Sequence, residues 1–322
     1  LKIISNNNQI AEEQYNQTSS TIFPDISLTA NSKKIDIEKA IGYTIKDYTT
    51  ETASINITQP IFRLYFFDEL NKAQSQIKKS DVNLLGQKKE LLIKSAKLYF
   101  SLINFKNNVL VSKVKQKIMS KKFENAVTLF ANGLITDIEL NNHKNNLNLA
   151  NIEMEISEDQ LILSKQDIYI FTGREIFDIQ NLDTEVNIPL NTYEKESLFL
   201  QAIKTEENIK MAKYDIEITE SEMKSNKSKH YPTIDLVASY DYTDSSSGGR
   251  FGSNTTESSM LGVSLNIPIY QGGYQSSKVN ESRYVFENAK INFDQLKRNI
   301  QKDITDTVNQ HDLLKKLIVV KK

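Results

Sequence analysis

The residues able to do chemistry are few and scattered. His143, His230 and His311 are the only histidines, and no two share a metal-ligand spacing. Cysteine is absent, which excludes a disulfide framework and thiolate metal sites. The chain contains no phosphate-cradling P-loop, no Gly-rich dinucleotide signature, no nucleophile elbow and no HExxH pair. No set of residues is spaced for catalysis, so no enzyme, no cofactor and no metal centre is expected. The formal net charge is −1, which gives nucleic-acid binding no electrostatic support. What remains for the polar residues is to line something, and the elements that place them decide what.

Two strand pairs repeat at one offset. Phe23-Pro24-Asp25-Ile26-Ser27-Leu28-Thr29-Ala30 matches Tyr231-Pro232-Thr233-Ile234-Asp235-Leu236-Val237-Ala238. Ile55-Asn56-Ile57-Thr58-Gln59-Pro60-Ile61-Phe62 matches Val263-Ser264-Leu265-Asn266-Ile267-Pro268-Ile269-Tyr270. Pro24 to Pro232 and Pro60 to Pro268 are both separated by 208 residues (232 − 24 and 268 − 60). An internal duplication is the expected cause, with each copy a hairpin set between helices.

Within these strands the residue types alternate. Ile234, Leu236, Ala238, Tyr240 and Tyr242 lie on one face, against Asp235, Val237, Ser239 and Asp241. Leu261, Val263, Leu265, Ile267 and Ile269 alternate with Gly262, Ser264, Asn266 and Pro268. Ile26, Leu28 and Ala30, and Ile55, Ile57 and Gln59, continue the pattern. Period two gives one apolar and one polar face. A soluble sheet would pack the apolar face on a helix; a membrane barrel would turn it to lipid and its polar face to a wet lumen. Aromatics near the strand ends and the polar run Asp244–Thr256 suit interfacial girdles and an exposed tip. Four strands cannot close a barrel, whose smallest known form has about eight, so a barrel would have to be shared between copies.

The helices carry seven-residue rows. Leu84, Leu91, Leu98 and Phe105 form one, and Ala96, Ile103 and Leu110 a second. Leu140, Leu147, Met154, Leu161 and Ile168 form another seam, with Leu149, Ile156, Leu163 and Ile170 two residues out of phase. Two residues are about 200° of rotation, so the seams are opposed and each helix expects a neighbour on both sides. Such helices fit a wall that curves into a tube, or an ordinary coiled-coil bundle. A helix of roughly 63 residues over Asp68 to Phe130 would be ~95 Å long. Ala202, Ile209, Ile216 and Met223 mark a third helix. Val279, Phe286, Phe293, Ile300, Thr307 and Leu314 mark a fourth. No apolar run approaches the ~20 residues of a spanning helix. The chain opens at Leu1 and stops at Lys322 within apparent helices, and is expected to be an internal piece of a longer protein.

In these features the chain resembles the TolC-like outer-membrane efflux proteins. The aromatic-Pro-x-Ile-x-Leu strand openings, the run Pro268 to Tyr274, the turn segment Phe130 to Leu140 and Phe171-Thr172-Gly173 carry the resemblance, which covers nearly the whole chain. It implies a fold of α-helices plus a membrane β-barrel: long coiled-coil helices forming an α-barrel tunnel, and four strands per chain contributing to a shared twelve-stranded barrel in a homotrimer. Residues 1–20 would end a truncated tunnel helix and 21–66 form the first hairpin. Residues 67–173 would be a long periplasmic helical hairpin turning near 131–136, and 174–193 an equatorial connector. Residues 194–230 would be a tunnel helix, 231–271 the second hairpin, and 272–322 the start of a second long periplasmic helix, its return helix lying beyond this chain.

The resemblance implies a passive outer-membrane export channel of a Gram-negative bacterium, with helices in the periplasm. Small toxic molecules or type I secreted polypeptides would be its cargo. Its partners would be outer-membrane lipid, a periplasmic adaptor and an inner-membrane transporter of RND or ABC type, with no nucleic acid. A periplasmic coiled-coil adaptor or scaffold is the alternative. The family's entrance latch, six positions after the turn glycine, falls on Glu139, with Asp137 nearby; a carboxylate at a constriction can pair with a neighbouring cation or bind ions. The plainer role is an acid stabilised in a helix's first turn. Gly133, Gly272 and Gly273 are expected to supply positive φ. Asn56, Asp235, Ser239, Asp241, Ser264 and Asn266 are expected to face the lumen.

Overall fold

The computed structural model describes residues 2–36, 48–175, 193–246 and 254–321. The chain divides into two compact units, Leu1–Gln87 with Asn191–Lys322, and Lys88–Leu190. In the first unit, α1 (Lys2–Ser20) leads into β1 (Asp25–Ile35), and β2 (Tyr48–Arg63) runs back into α2 (Leu64–Ala131). The long helix α2 passes into the second unit, where α3 (Asp137–Thr172) follows it. Back in the first unit, α4 (Lys195–Thr205) and α5 (Glu207–Ser228) lead to β3 (Thr233–Ser245), β4 (Asn254–Asn266) and α6 (Tyr274–Lys321). Most of the connector segment 174–193, and the centre of the tip segment 244–256, lie outside the described residues.

The four strands form one antiparallel sheet in the order β1-β2-β3-β4. Its register carries the alternation across every strand. Ile26 faces Ile57, Ile57 faces Ala238, and Ala238 faces Leu261. The strands run further into the polar tip than the alternation does: Asp244 and Ser245 pair with Thr255 and Asn254. Backbone bonding needs no side-chain periodicity, so polar residues on both faces left no period-two signal there. In the other direction, the strand expected to reach Ile269 stops at Asn266. Asn266 is opposite Thr233, the first residue of β3, so Ile267 to Tyr270 have no strand of the same chain to bond. All four helix–strand junctions fall at one end of the sheet.

In the second unit, α2 and α3 form an antiparallel pair with a 3–4 spaced seam. Leu102, Val109, Ser112 and Ala126 are buried from α2, and Ala150, Ser164 and Ile168 from α3. Polar contacts flank the seam: Gln116 donates to Asn151 at 3.0 Å, Lys113 meets Glu158 at 3.1 Å, and Lys94 lies over the Phe171 ring. Of the two seams read on α3, the one through Leu147 and Ile168 is covered. The other is bare: Leu149, Ile156, Leu163 and Ile170 are exposed, Ile170 at 78%.

Two helical expectations need correction. The helix through Ala202 and Met223 is two helices, broken at Glu206, whose ψ of 127° is extended. Gly86 of α2 sits against the break; a Cβ there would stand 3.3 Å from the Cβ of Glu207, so the glycine allows close approach. On α6 the covered row leaves strict seven-residue spacing after Ile300. It continues through Ile304, Val308 and His311, while Thr307 and Leu314 are exposed. Spacings of four, four and three sum to an eleven-residue step, which corrects the drift of a 3.6-residue helix against a strict heptad.

The packed and bare seams should separate in mutagenesis. Leu102→Ala, at a site 3% exposed, is expected to destabilise the α2–α3 pair by about 2–5 kcal/mol, lowering its melting temperature by circular dichroism in detergent. Leu163→Ala, at a site 59% exposed, should leave intrachain helix melting nearly unchanged.

Candidate functional site

The polar face of the sheet gathers most of the residues singled out above. Asn56 pairs with Ser239, Asp235 with Ser264, and Asn266 with Thr233. Asp241 faces Ser54 in β2 and accepts a 3.0 Å hydrogen bond from the Ser239 hydroxyl. At the helix end of this face, Arg63 closes on Asp235: Nη2 lies 2.9 Å and Nε 3.1 Å from the same carboxylate oxygen. This ion pair joins β2 to β3, and so the first hairpin to the second. Only the fold's register could have found Arg63, since 172 residues separate the partners.

The opposite face is uncovered. Leu28, Leu236, Val263 and Leu265 are exposed, and Leu261 is 76% exposed. Among the described residues no helix packs on them. Tyr240 and Tyr242 stand towards the tip end of this face, where the Tyr240 hydroxyl donates to Glu257 at 3.0 Å. At the helix end, a register shift at Ile61 lies between Pro60 and Phe62, and the Gln59 amide donates to the carbonyls of Ile22 and Pro60. The bulge keeps Phe62 opposite Ile234 on the apolar face.

A polar knot ties together the helix ends that adjoin the strands. Ser228 donates to Asp68 at 2.9 Å and Ser225 to Glu69 at 3.2 Å. Lys229 meets Glu69 at 3.2 Å, and Gln275 donates to the carbonyl of Asn226. Ser225, Asn226 and Ser228 are buried, and their polar groups find partners where α2, α5 and α6 meet.

Glu139 and Asp137 belong to the second unit, at the start of α3. Gly133 makes the turn with φ of +70°, as expected, and Gly272 and Gly273 also have positive φ. Glu139 completes a capping box. Its carboxylate accepts from the Thr136 backbone N–H at 2.9 Å and the Thr136 hydroxyl at 3.1 Å, while its own N–H donates to that hydroxyl. These hydrogen bonds from Thr136, the backbone one foremost, hold the Glu139 carboxyl below its ordinary range. The pattern Thr-x-x-Glu is a sequence signature of the box, and would have marked Thr136 as Glu139's partner. Asp137 accepts from Asn141, four residues on. His143 is half-buried on α3, His311 meets Tyr193 edge to face, and His230 is exposed beyond α5. Among the described residues no group of three His, Asp or Glu could hold a metal ion, and no helix is long and apolar enough to cross a membrane.

A four-stranded sheet with one bare apolar face and one polar face, its hairpins set between helices, is the fold found in solved outer-membrane channels. Residues 198–319 match the family described as outer membrane efflux protein. The chain is 22% identical over 317 residues to outer membrane protein TolC of Escherichia coli, covering 93% of this chain and 62% of that protein. It is 18% identical over 271 residues to the proteases secretion protein PrtF of Dickeya chrysanthemi, covering 82% of this chain and 58% of that protein. The crystal structure of the outer membrane protein VceC of Vibrio cholerae superposes with a TM-score of 0.77 at 14% identity, covering 99% of this chain and 77% of that one. These matches show that residues 198–319 resemble the outer membrane efflux protein family and that the chain is similar to TolC-like transport channels over most of its length, in agreement with an outer-membrane location. The chain spans about three fifths of the length of the curated relatives it matches.

The capping box makes a pH-dependent prediction. Because the folded carboxyl of Glu139 is depressed, the stabilisation it gives is present above the ordinary glutamate range and is lost as pH falls through the lowered value. The protection factors of the Ile138 to Leu140 amides, their exchange rates corrected for the intrinsic dependence on pH, should fall on acidification in the unmodified protein. Thr136→Ala should show fast exchange at neutral pH and a flatter pH profile; an unaltered profile would contradict the coupling.

Proposed function

We propose that the chain is one subunit of a passive trimeric export duct. The observation carrying this reading is the sheet itself: a bare apolar face, a polar face behind it, and two unbonded edges at β1 and β4. In hydrocarbon each unpaired backbone group costs several kcal/mol, so the edges must be closed. Three copies related by cyclic symmetry supply twelve strands and join β4 of one copy to β1 of the next. The apolar face then meets lipid, and Asn56, Asp235, Ser239, Asp241, Ser264 and Asn266 line the lumen. The repeated strand pattern fits an internal duplication that gave each subunit two hairpins.

The bare seam through Leu149, Ile156, Leu163 and Ile170 suits a neighbouring helix in a tunnel wall. Asp137 and Glu139, at the helical tip, serve as entrance carboxylates, with Glu139 held by its own cap. The sequence carries no nucleotide-binding motif, so the driving energy is assigned to an inner-membrane transporter of RND or ABC type, coupled through a periplasmic adaptor. The cargo classes that fit are small toxic molecules and secreted polypeptides; the printed name of the PrtF relative supports the second.

The test is the pleat. Leu236→Arg and Leu265→Arg place a charge on the lipid face at a cost of ~2–4 kcal/mol per site near mid-bilayer, and should reduce the yield of heat-modifiable trimers extracted by detergent. Ser239→Arg and Ser264→Arg should assemble far better. Equal assembly of the two sets would refute the assignment of faces.

A further inference from the structure

The two hairpins repeat each other in register as well as in sequence. Asp25 of β1 faces Thr58 of β2 and, 208 residues on, Thr233 of β3 faces Asn266 of β4. Ile26 with Ile57 becomes Ile234 with Leu265, and Leu28 with Ile55 becomes Leu236 with Val263. The offset maps one hairpin's pairing onto the other's without a slip. The middle seam, β2 on β3, has no such counterpart among the described residues. Its counterpart would join β4 to a β1, and the chain's own β1 lies at the far edge of the sheet.

The residues after β4 have the form of that missing seam. Gln59 to Arg63 are strand because Thr233 to Leu236 bond them, the register shift at Ile61 bringing Phe62 opposite Ile234. The matching residues 208 positions on, Ile267-Pro268-Ile269-Tyr270-Gln271, follow the end of β4 without strand pairing. Ile269 and Tyr270 are 92% and 86% exposed, the highest values among the large apolar residues described. A proline in a strand is tolerated beside a bulge, and Pro60 has one; Pro268 stands in the same place. Every residue of β1 is exposed.

We infer that the seam between copies repeats the seam within one: β4 pairs with β1 of the next copy in the β2–β3 register, carried over by the 208-residue offset. This rests on the trimeric duct proposed above, which names the strands and leaves their register open. Thr58 facing Val237 becomes Asn266 facing Thr29 of the next copy, and Ile57 facing Ala238 becomes Leu265 facing Ala30. Phe62 opposite Ile234 becomes Tyr270 opposite Ile26. Ile267 to Gln271 then become strand on assembly, with a bulge at Ile269. The pleat agrees: Leu265 and Ala30 both lie on the apolar face, and a slip of one residue would set Leu265 against Thr29 or Asn31 of the polar face. One contact is not repeated. The ion pair of Arg63 with Asp235 has Gln271 and Ser27 in its place, and Gln271 stands opposite Asp25 as Arg63 stands opposite Thr233. The seam between copies thus has the backbone ladder and apolar contacts of the inner seam and lacks its bond between two charged groups.

Cysteine cross-linking reads the register directly, because the chain has no cysteine of its own. In the full-length protein assembled in membranes, Ala30→Cys with Leu265→Cys should give disulfide-linked dimers and trimers on a non-reducing gel. Facing residues have Cα atoms about 4.5–5.5 Å apart, within disulfide reach. The two edges of one sheet are about 14 Å apart, three strand spacings, so a link can only join copies. Leu28→Cys or Ser32→Cys with Leu265→Cys is two residues out of register, about 7–8 Å apart, and should link about fivefold less. Gln271→Arg sets a cation opposite Asp25 of the next copy and should raise the temperature at which trimers dissociate on a semi-native gel; adding Asp25→Asn should remove the gain. Strongest linking at Leu28 or Ser32 would overturn the register, as would no link from any pair in trimers that stay intact, and both results leave the duct in place. A Gln271→Arg gain that is absent, or that survives Asp25→Asn, would overturn the placing of Gln271. If the unmodified protein gives no trimers, the duct itself is refuted.

Discussion

A strand in hydrocarbon must bond its backbone on both edges, because no water is there to take the place of a partner. The duct proposed for this chain follows from that constraint. Among the described residues, its sheet has bonded every interior edge and neither of the outer two, and its apolar side chains are left uncovered. The polar side chains of the other face, by contrast, bond one another: Arg63 to Asp235, Ser239 to Asp241. Among the described residues the sheet is cross-bonded on its polar face and left bare on its apolar face and at its margins.

The helices repeat the theme with side chains in place of backbone. The α2–α3 pair consumes one of two opposed seams and leaves the second exposed. Small residues, Ala126, Ala150, Ser112 and Ser164, occupy much of the buried seam, which lets the helices approach closely and leaves the bulkier Leu and Ile to the outer one. Where the helices meet beside the sheet, the buried serines and Asn226 make hydrogen bonds, so the joint has direction as well as adhesion.

Much of this was legible in the sequence wherever a strict period expressed a physical requirement. Alternation over Ile234 to Tyr242 reported a two-faced sheet, and the 208-residue offset reported its second hairpin. The two phases on α3 reported two seams, without saying which the chain itself would cover. Other features had no periodic signature. The break at Glu206 falls in Lys204 to Asn208, which contains neither proline nor glycine. The polar ends of the strands are held by backbone bonds and by side-chain bonds such as Thr255 to Asp244, neither of which leaves a period in the sequence, and the Arg63–Asp235 pair exists only once the register is known. Glu139 was read through its place after Gly133, while its bond to Thr136 was available in the Thr-x-x-Glu spacing and carries the local geometry.

The change of step on α6 bears on how such a chain can vary in length. Each inserted residue turns everything beyond it by about 100°. One extra residue between Val279 and Ile300 would swing Val308 and His311 off their neighbours, whereas seven or eleven would return them to within about 20°. Length changes in this helix are therefore quantised, and the eleven-residue step after Ile300 shows both counts in use along a single rod.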